Sequence, residues 1–179
     1  MEAVTASSGQ GNDAVQEAEP GVARDVPDDQ IKLRLLNAFA EKSKKYNKYI
    51  EKDWVSTKEP YIIAINAAQI PSASAEHKIP RIVRALLPFG HEVLHLDTET
   101  LELVDTSYKY QGVVNKASGT EIETTSFLNT KYSGISAIIY SCADVFNHPV
   151  AISKSLLLFH NPSASNPIPL GLLGKGYEY

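Results

Sequence analysis

The chain has 179 residues, a formal net charge of −4 and a hydrophobic fraction of 43%. This length allows one domain with a sizeable core and is short for two. The acidic balance argues against attraction of the whole surface to nucleic acid or anionic lipid, although a local basic face remains compatible with it. The single cysteine, Cys142, rules out an intrachain disulfide framework and fits a reducing compartment.

Residues 1–28 are predicted to be a disordered acidic leader or the remnant of a linker. Acids outnumber the single Arg24 there, and large apolar residues are almost absent, so the segment cannot bury enough surface to offset its ordering entropy. The chain opens without the basic and apolar regions of a signal peptide, and no apolar run is long enough to span a bilayer. We therefore expect a cytoplasmic protein without membrane contact, in which residues 29–179 form a single α/β domain.

Two helices are predicted, at about residues 29–53 and 79–87. Pro27 and the acids that follow it mark the start of the first helix, and an apolar stripe recurs along it at intervals of three and four residues. The stripe consists of Leu35, Leu36, Phe39, Ser43, Tyr46, Ile50 and Trp54. Pro80 lies near the first turn of the second helix, and Pro88 ends it.

Three short apolar runs, at residues 61–66, 135–140 and 156–159, predict the central strands of one mixed sheet. Runs of this length with Gly, Ser, Asn and Pro at their edges are typical of strands buried on both faces. Residues 91–127 alternate between apolar and polar side chains and contain turn-forming segments, which predicts a β-meander of half-buried strands. The fold class expected from this order of elements is α/β, with a mixed α+β sheet.

Polar loops follow the apolar runs, which predicts a polar rim formed by residues 67–78, 141–149 and 160–169. The last loop is stiffened by prolines and offers side-chain donors and acceptors, as a contact site for a protein partner or a small ligand would. Its candidate binding residues are His160, Asn161, Ser163 and Asn166. Equally, prolines there would cover the sheet edge without offering a strand for pairing.

The first predicted helix interleaves lysines with aromatic residues. Lysines that contact phosphates and aromatic rings that stack on bases would suit nucleic acid. The candidate contacts are Lys42, Lys44, Lys45 and Lys48. Lysines are also the ordinary solvated face of a surface helix, and the absence of arginines among them removes bidentate phosphate recognition.

The segment from His91 to Glu99 combines imidazole and carboxylate groups. His95 and Asp97 point to one side of a strand and Glu99 follows in the turn, which is ligand chemistry for a divalent metal such as zinc, manganese or iron. His91 lies roughly 13 Å from His95 on the strand rise, so the two cannot bind one ion. Other residues would have to complete the site, and a solvent-facing strand edge is the simpler interpretation.

Cys142 lies two residues after the apolar run 135–140. Enzymes of the α/β class place nucleophiles at the carboxyl end of a strand, and His148 or His160 would be the base. No helix start follows Cys142 to lower its pKa, and a lone cysteine is typically a small buried hydrophobe.

Together these patterns favour a binding or regulatory intracellular module, part of a longer protein or complex, that makes contact through the polar rim. The alternative is a metal-dependent hydrolase or nuclease-like enzyme that uses His95, Asp97 and Glu99. Restriction-type nucleases place a Glu-x-Lys pattern on a strand, whereas the corresponding segments here, Glu41–Lys44 and Glu76–Lys78, lie in a predicted helix and in a loop. Catalytic residues stay unassigned. The first residues to test are His95, Asp97, Glu99 and Cys142.

Overall fold

A five-stranded mixed sheet is the centre of the computed structural model, which describes residues 1–149, 155–174 and 176–179. In chain order the elements are β1 (Glu2–Ser7), α1 (Asp28–Tyr49), β2 (Ile62–Gln69), α2 (Arg81–Leu86), β3 (Phe89–Leu96), β4 (Leu103–Tyr110), β5 (Val113–Asn115), β6 (Glu121–Glu123), β7 (Ala137–Ser141), β8 (Leu157–His160) and β9 (Tyr177–Glu178). Short 3₁₀ turns lie at Gly11–Asp13, Ser126–Leu128 and Thr130–Tyr132.

The strand order of the main sheet is β1-β2-β7-β8-β9. Strands β1, β2 and β7 are parallel, β8 is antiparallel to β7, and β9 is parallel to β8. The three predicted apolar runs are therefore the three central strands, which confirms the prediction of a mixed sheet. The carboxyl ends of β2 and β7 lie at the same edge as the amino end of β8.

The main core lies between α1, α2 and one face of the sheet. Ile63 and Ile138 on the sheet and Phe39 on α1 are buried in it. Phe127 links the two layers, since its ring centroid lies 5.8 Å from that of Phe39 and 4.9 Å from that of Phe159. A smaller cluster on the opposite face contains Ala137, Leu158 and Ile168. The central strands are thus apolar on both sides, as their unbroken apolar runs require.

The edge strand β1 differs from the disorder predicted for residues 1–28. Its 6 residues pair in parallel with β2, with Glu2 opposite Ile63. The Glu2 carboxylate accepts hydrogen bonds from Lys42 (3.3 Å) and Lys45 (3.2 Å) of α1. Composition did not predict this strand, because its side chains are mostly small. Its backbone hydrogen bonds to β2 and these ion pairs hold it in place. The division into a leader and a single domain stays a prediction.

Helix α1 ends at Tyr49, earlier than the predicted residue 53. Trp54 consequently lies outside the apolar stripe and is 78% exposed. Lys42, expected on the solvated face, is buried where it pairs with Glu2. In the part of the chain that the structure describes, no helix has the length and apolarity needed to cross a membrane.

The predicted meander forms two antiparallel hairpins, β3–β4 and β5–β6, each a separate two-stranded sheet. The expectation of half-buried strands is wrong for β3 and β4, because Leu94 and Leu96 are 59% and 51% exposed. Alternation correctly identified the strands, but a two-stranded ribbon has no second layer to cover its apolar face unless another element packs on it.

Candidate functional site

An open pocket of about 380 Å³ lies where β2 and β7 end and β8 begins. Its mostly apolar lining includes Ser74, Glu76, Pro80, Tyr140, Cys142, Ala143, Asn147, Leu157, Tyr177 and Tyr179. In open α/β sheets the crevice outside the carboxyl ends of the strands is where ligands bind, since the loops diverge there. Two loops of the predicted rim, 67–78 and 141–149, contribute residues to this pocket, whereas none of its lining residues comes from 160–169.

A chain of hydrogen bonds crosses the base of the pocket. The Tyr140 hydroxyl donates to Glu76 Oε1 over 2.8 Å, and Cys142 Sγ lies 3.1 Å from that hydroxyl. The other carboxylate oxygen of Glu76 accepts from the backbone N–H of Arg81 over 2.9 Å. These contacts hold the Glu76 carboxylate in one orientation toward the pocket.

Burial keeps the two neutral groups of this chain protonated. Desolvation raises the pKa of Cys142 to about 11, and the Tyr140 hydrogen bond offsets only part of that effect. Desolvation also raises the pKa of Tyr140, with the nearby Glu76 charge adding to the rise. At neutral pH Tyr140 is therefore a phenol and Cys142 a thiol, and the thiolate needed for nucleophilic attack is scarce.

The pocket wall formed by the loop after β2 depends on Arg81, whose side chain is fully buried. Its guanidinium donates to the carbonyl oxygens of Ala73 (3.1 Å) and Ala75 (2.7 Å). Its Nε donates to Asp28 Oδ1 over 2.7 Å. Charged hydrogen bonds of this kind fix a loop that apolar contacts alone would leave adjustable.

His95, Asp97 and Glu99 lie on the β3–β4 hairpin and do not line the pocket. His95 Nε2 is 2.7 Å from Ser107 Oγ, and Asp97 Oδ1 accepts from the N–H groups of Glu99 and Thr100. These backbone hydrogen bonds lower the pKa of Asp97. Among the described residues no group of three or more His, Cys, Asp and Glu side chains could hold a metal ion. The hydrolase alternative stays a prediction without a supporting contact.

The candidate binding residues of the last loop make internal hydrogen bonds. Asn161 is 3% exposed and donates to the carbonyls of Tyr132 (3.0 Å) and Ile135 (2.8 Å). Ser163 Oγ donates to Phe127, and Asn166 Nδ2 donates to Thr57. His160 Nε2 lies 3.6 Å from Glu178 Oε2. The loop is thus braced against neighbouring segments.

The four candidate lysines of α1 divide into two pairs. Lys42 and Lys45 are ion-paired with Glu2, whereas Lys44 and Lys48 are exposed. Binding of nucleic acid through this helix stays a prediction. Two of the four candidate lysines are already ion-paired with Glu2.

Of the candidate catalytic, binding and nucleic-acid contact residues predicted from the sequence, only Cys142 lies in the pocket. Sequence reasoning missed Tyr140 and the role of Glu76, which are 64 residues apart and meet through the pairing of β2 with β7. The available signal was topological, since Tyr140 ends one predicted strand and Glu76 lies in the polar loop that follows another. Comparison of the chain with protein-family models, curated proteins and solved structures finds no match.

Proposed function

We propose that the protein is a binding module that takes a small, largely apolar ligand in the pocket where β2 and β7 end. The observation that carries this proposal is the preformed hydrogen-bond chain from Arg81 through Glu76 to Tyr140 at the base of an apolar pocket. Ligand pockets typically enclose about 300–1,000 Å³ and combine apolar walls with a few oriented polar groups. The single, protonated Cys142 suits a reducing compartment such as the cytoplasm.

The chemistry of the pocket selects a class of ligand. Leu157, Tyr177 and Tyr179 provide a surface for an aromatic or aliphatic body. Each Glu76 oxygen accepts one hydrogen bond and retains capacity for another, so the ligand contributes a donor. Its charge is neutral or positive, because an anion would approach the fixed carboxylate. Amines and alcohols with an aromatic body fit these requirements.

Ligand-observed NMR with tryptamine, tyramine and benzylamine, each compared with a carboxylic acid of similar size, tests the proposal. We expect saturable binding of the amines and none of the acids. Ala143→Phe, which fills the pocket, should abolish the signal, and Ala117→Phe at an exposed position should not. Glu76→Gln should reduce the preference for amines. Equal binding to the wild type and to Ala143→Phe, or no binding at all, contradicts the proposal.

A further inference from the structure

Five aliphatic side chains at the far end of the β3–β4 hairpin are each more than half exposed. This apolar tip consists of Leu94, Leu96, Leu101, Leu103 and Val104. Scattered apolar residues on a surface need no explanation, but a contiguous group marks a contact site. The strand register pairs Leu96 with Leu103, and alternation places Leu94 on the same face as Leu96. Leu94, Leu96 and Leu103 therefore share one face of the hairpin, while Leu101 lies in the turn and Val104 lies at the irregularity in the register.

The hairpin is anchored at its base and carries the tip away from the core. The rings of Phe89 and Tyr108 meet edge to face there, with centroids 6.0 Å apart. Gln111 N–H donates to the Pro88 carbonyl over 2.9 Å. None of the five tip residues belongs to a core cluster of the described chain. The fold thus orders the hairpin without using its aliphatic side chains.

Leu101 stands in a backbone conformation that does not favour leucine. Its φ of 58° lies in the left-handed region, where glycine and asparagine are the common residues, and its side chain is 72% exposed. Neither burial nor backbone geometry therefore accounts for an aliphatic residue at this position.

Acidic residues surround the apolar tip. Residues 91–110 contain five acids and one lysine, Lys109. Glu99, Glu102 and Asp105 are exposed, and none of them forms an ion pair with another described residue. This charge repels nucleic acid and anionic lipid, and it disfavours a second copy of the same tip, because like charges would be brought together.

We propose that the apolar tip docks a cationic amphipathic helix of a partner protein. The apolar stripe of that helix would cover Leu94, Leu96 and Leu103, while its lysines or arginines face Glu99 and Glu102 at the turn. Helix stripes repeat every three to four residues and match an apolar face two strands wide. The surface is separate from the ligand pocket, so the two proposals stand or fall independently.

A synthetic helix-forming peptide of leucine and lysine is the probe, and a matched peptide with glutamate in place of lysine is its control. We expect the lysine peptide to bind the intact protein, with an affinity that falls as salt is added, and the glutamate peptide not to bind. Leu103→Ser and Glu102→Lys should each weaken binding about tenfold. Leu128→Ser, which changes a leucine of similar exposure (56%) outside the hairpin, should leave binding unchanged.

Leu101→Asn separates a contact role from a folding role. Asparagine tolerates the left-handed conformation, so this variant should keep or raise the melting temperature while it weakens peptide binding. Three outcomes overturn the proposal: equal binding of both peptides, equal loss of binding in Leu128→Ser, or self-association that the tip substitutions abolish. Binding to phosphatidylserine vesicles that Leu103→Ser removes would overturn it as well.

Discussion

The buried guanidinium of Arg81 lies 2.7 Å from the carboxylate of Asp28, which it contacts through Nε. The contact joins the first residue of α2 to the first residue of α1 across 53 positions of the chain. Because the same guanidinium holds the carbonyls of Ala73 and Ala75, one buried arginine connects both helices to the wall of the pocket.

Arg81→Ala should lower the free energy of unfolding by about 3–5 kcal/mol, since it leaves the mostly buried Asp28 and two carbonyls without their main partner. Urea unfolding followed by circular dichroism measures this loss. Lys78→Ala is the control, because Lys78 is 71% exposed and forms a surface ion pair with Glu92. That variant should lose less than about 1 kcal/mol. If both variants lost a similar amount of unfolding free energy, the buried Arg81–Asp28 pair would contribute no more than a surface ion pair.

Asp28 should make the protein sensitive to acid. Burial by itself raises the pKa of this carboxyl. The Arg81 hydrogen bond and the charges of Arg84 and Lys32 outweigh burial, so the pKa lies below its ordinary value. A carboxyl of this kind stabilises the fold above its unfolded pKa of about 3.9, and the contribution is lost as pH falls through the folded pKa.

Unfolding free energies measured between about pH 5 and pH 2 test this acid sensitivity. The wild type should lose stability over that range more steeply than Asp28→Asn, whose side chain does not titrate. If the unfolding free energies of the two proteins fall in parallel with pH, other carboxyls dominate the loss of stability in acid.

Cys142 should react slowly with thiol reagents. With a pKa of about 11, the thiolate is a small fraction near pH 8. Its alkylation by iodoacetamide should be roughly tenfold or more slower than in the urea-unfolded chain, since the lower thiolate fraction outweighs the higher nucleophilicity of a more basic thiol. The rate should still be rising at pH 9. A plateau near pH 8 would instead identify an activated thiol.

Asn161 and Asn166 should differ sharply in their effect on stability. Asn161→Ala leaves the carbonyls of Tyr132 and Ile135 and the N–H of Ser163 without their side-chain partner in a buried place, at a cost of about 2–3 kcal/mol. Asn166→Ala removes one exposed hydrogen bond to Thr57 and should cost about 1 kcal/mol or less. Thermal unfolding of the two variants measures the difference. Equal losses would mean that the loop is not braced through Asn161.

The candidate site could be predicted only in part, because its contacts join distant segments. The rim loops 67–78 and 141–149 were expected to lie together and do contribute to one pocket. The particular partners of Glu76 were not predictable, since Tyr140 is 64 residues away and Arg81 is turned inward by Asp28. Side chains that look available in a polar loop, such as Asn161, are engaged by backbone groups that only the folded chain brings near.

Local patterning by itself determined the central strands and the start of the long helix. Unbroken apolar runs require burial on both faces, and a stripe at three- and four-residue spacing requires a helix packed on one side. Tertiary structure alone decided that Glu2–Ser7 joins the sheet, that the leucines of the β3–β4 hairpin stay exposed, and which polar groups remain free to bind. The physical reason is that hydrophobic periodicity is encoded between near neighbours, whereas hydrogen-bond partners and covering layers come from segments far apart in the chain.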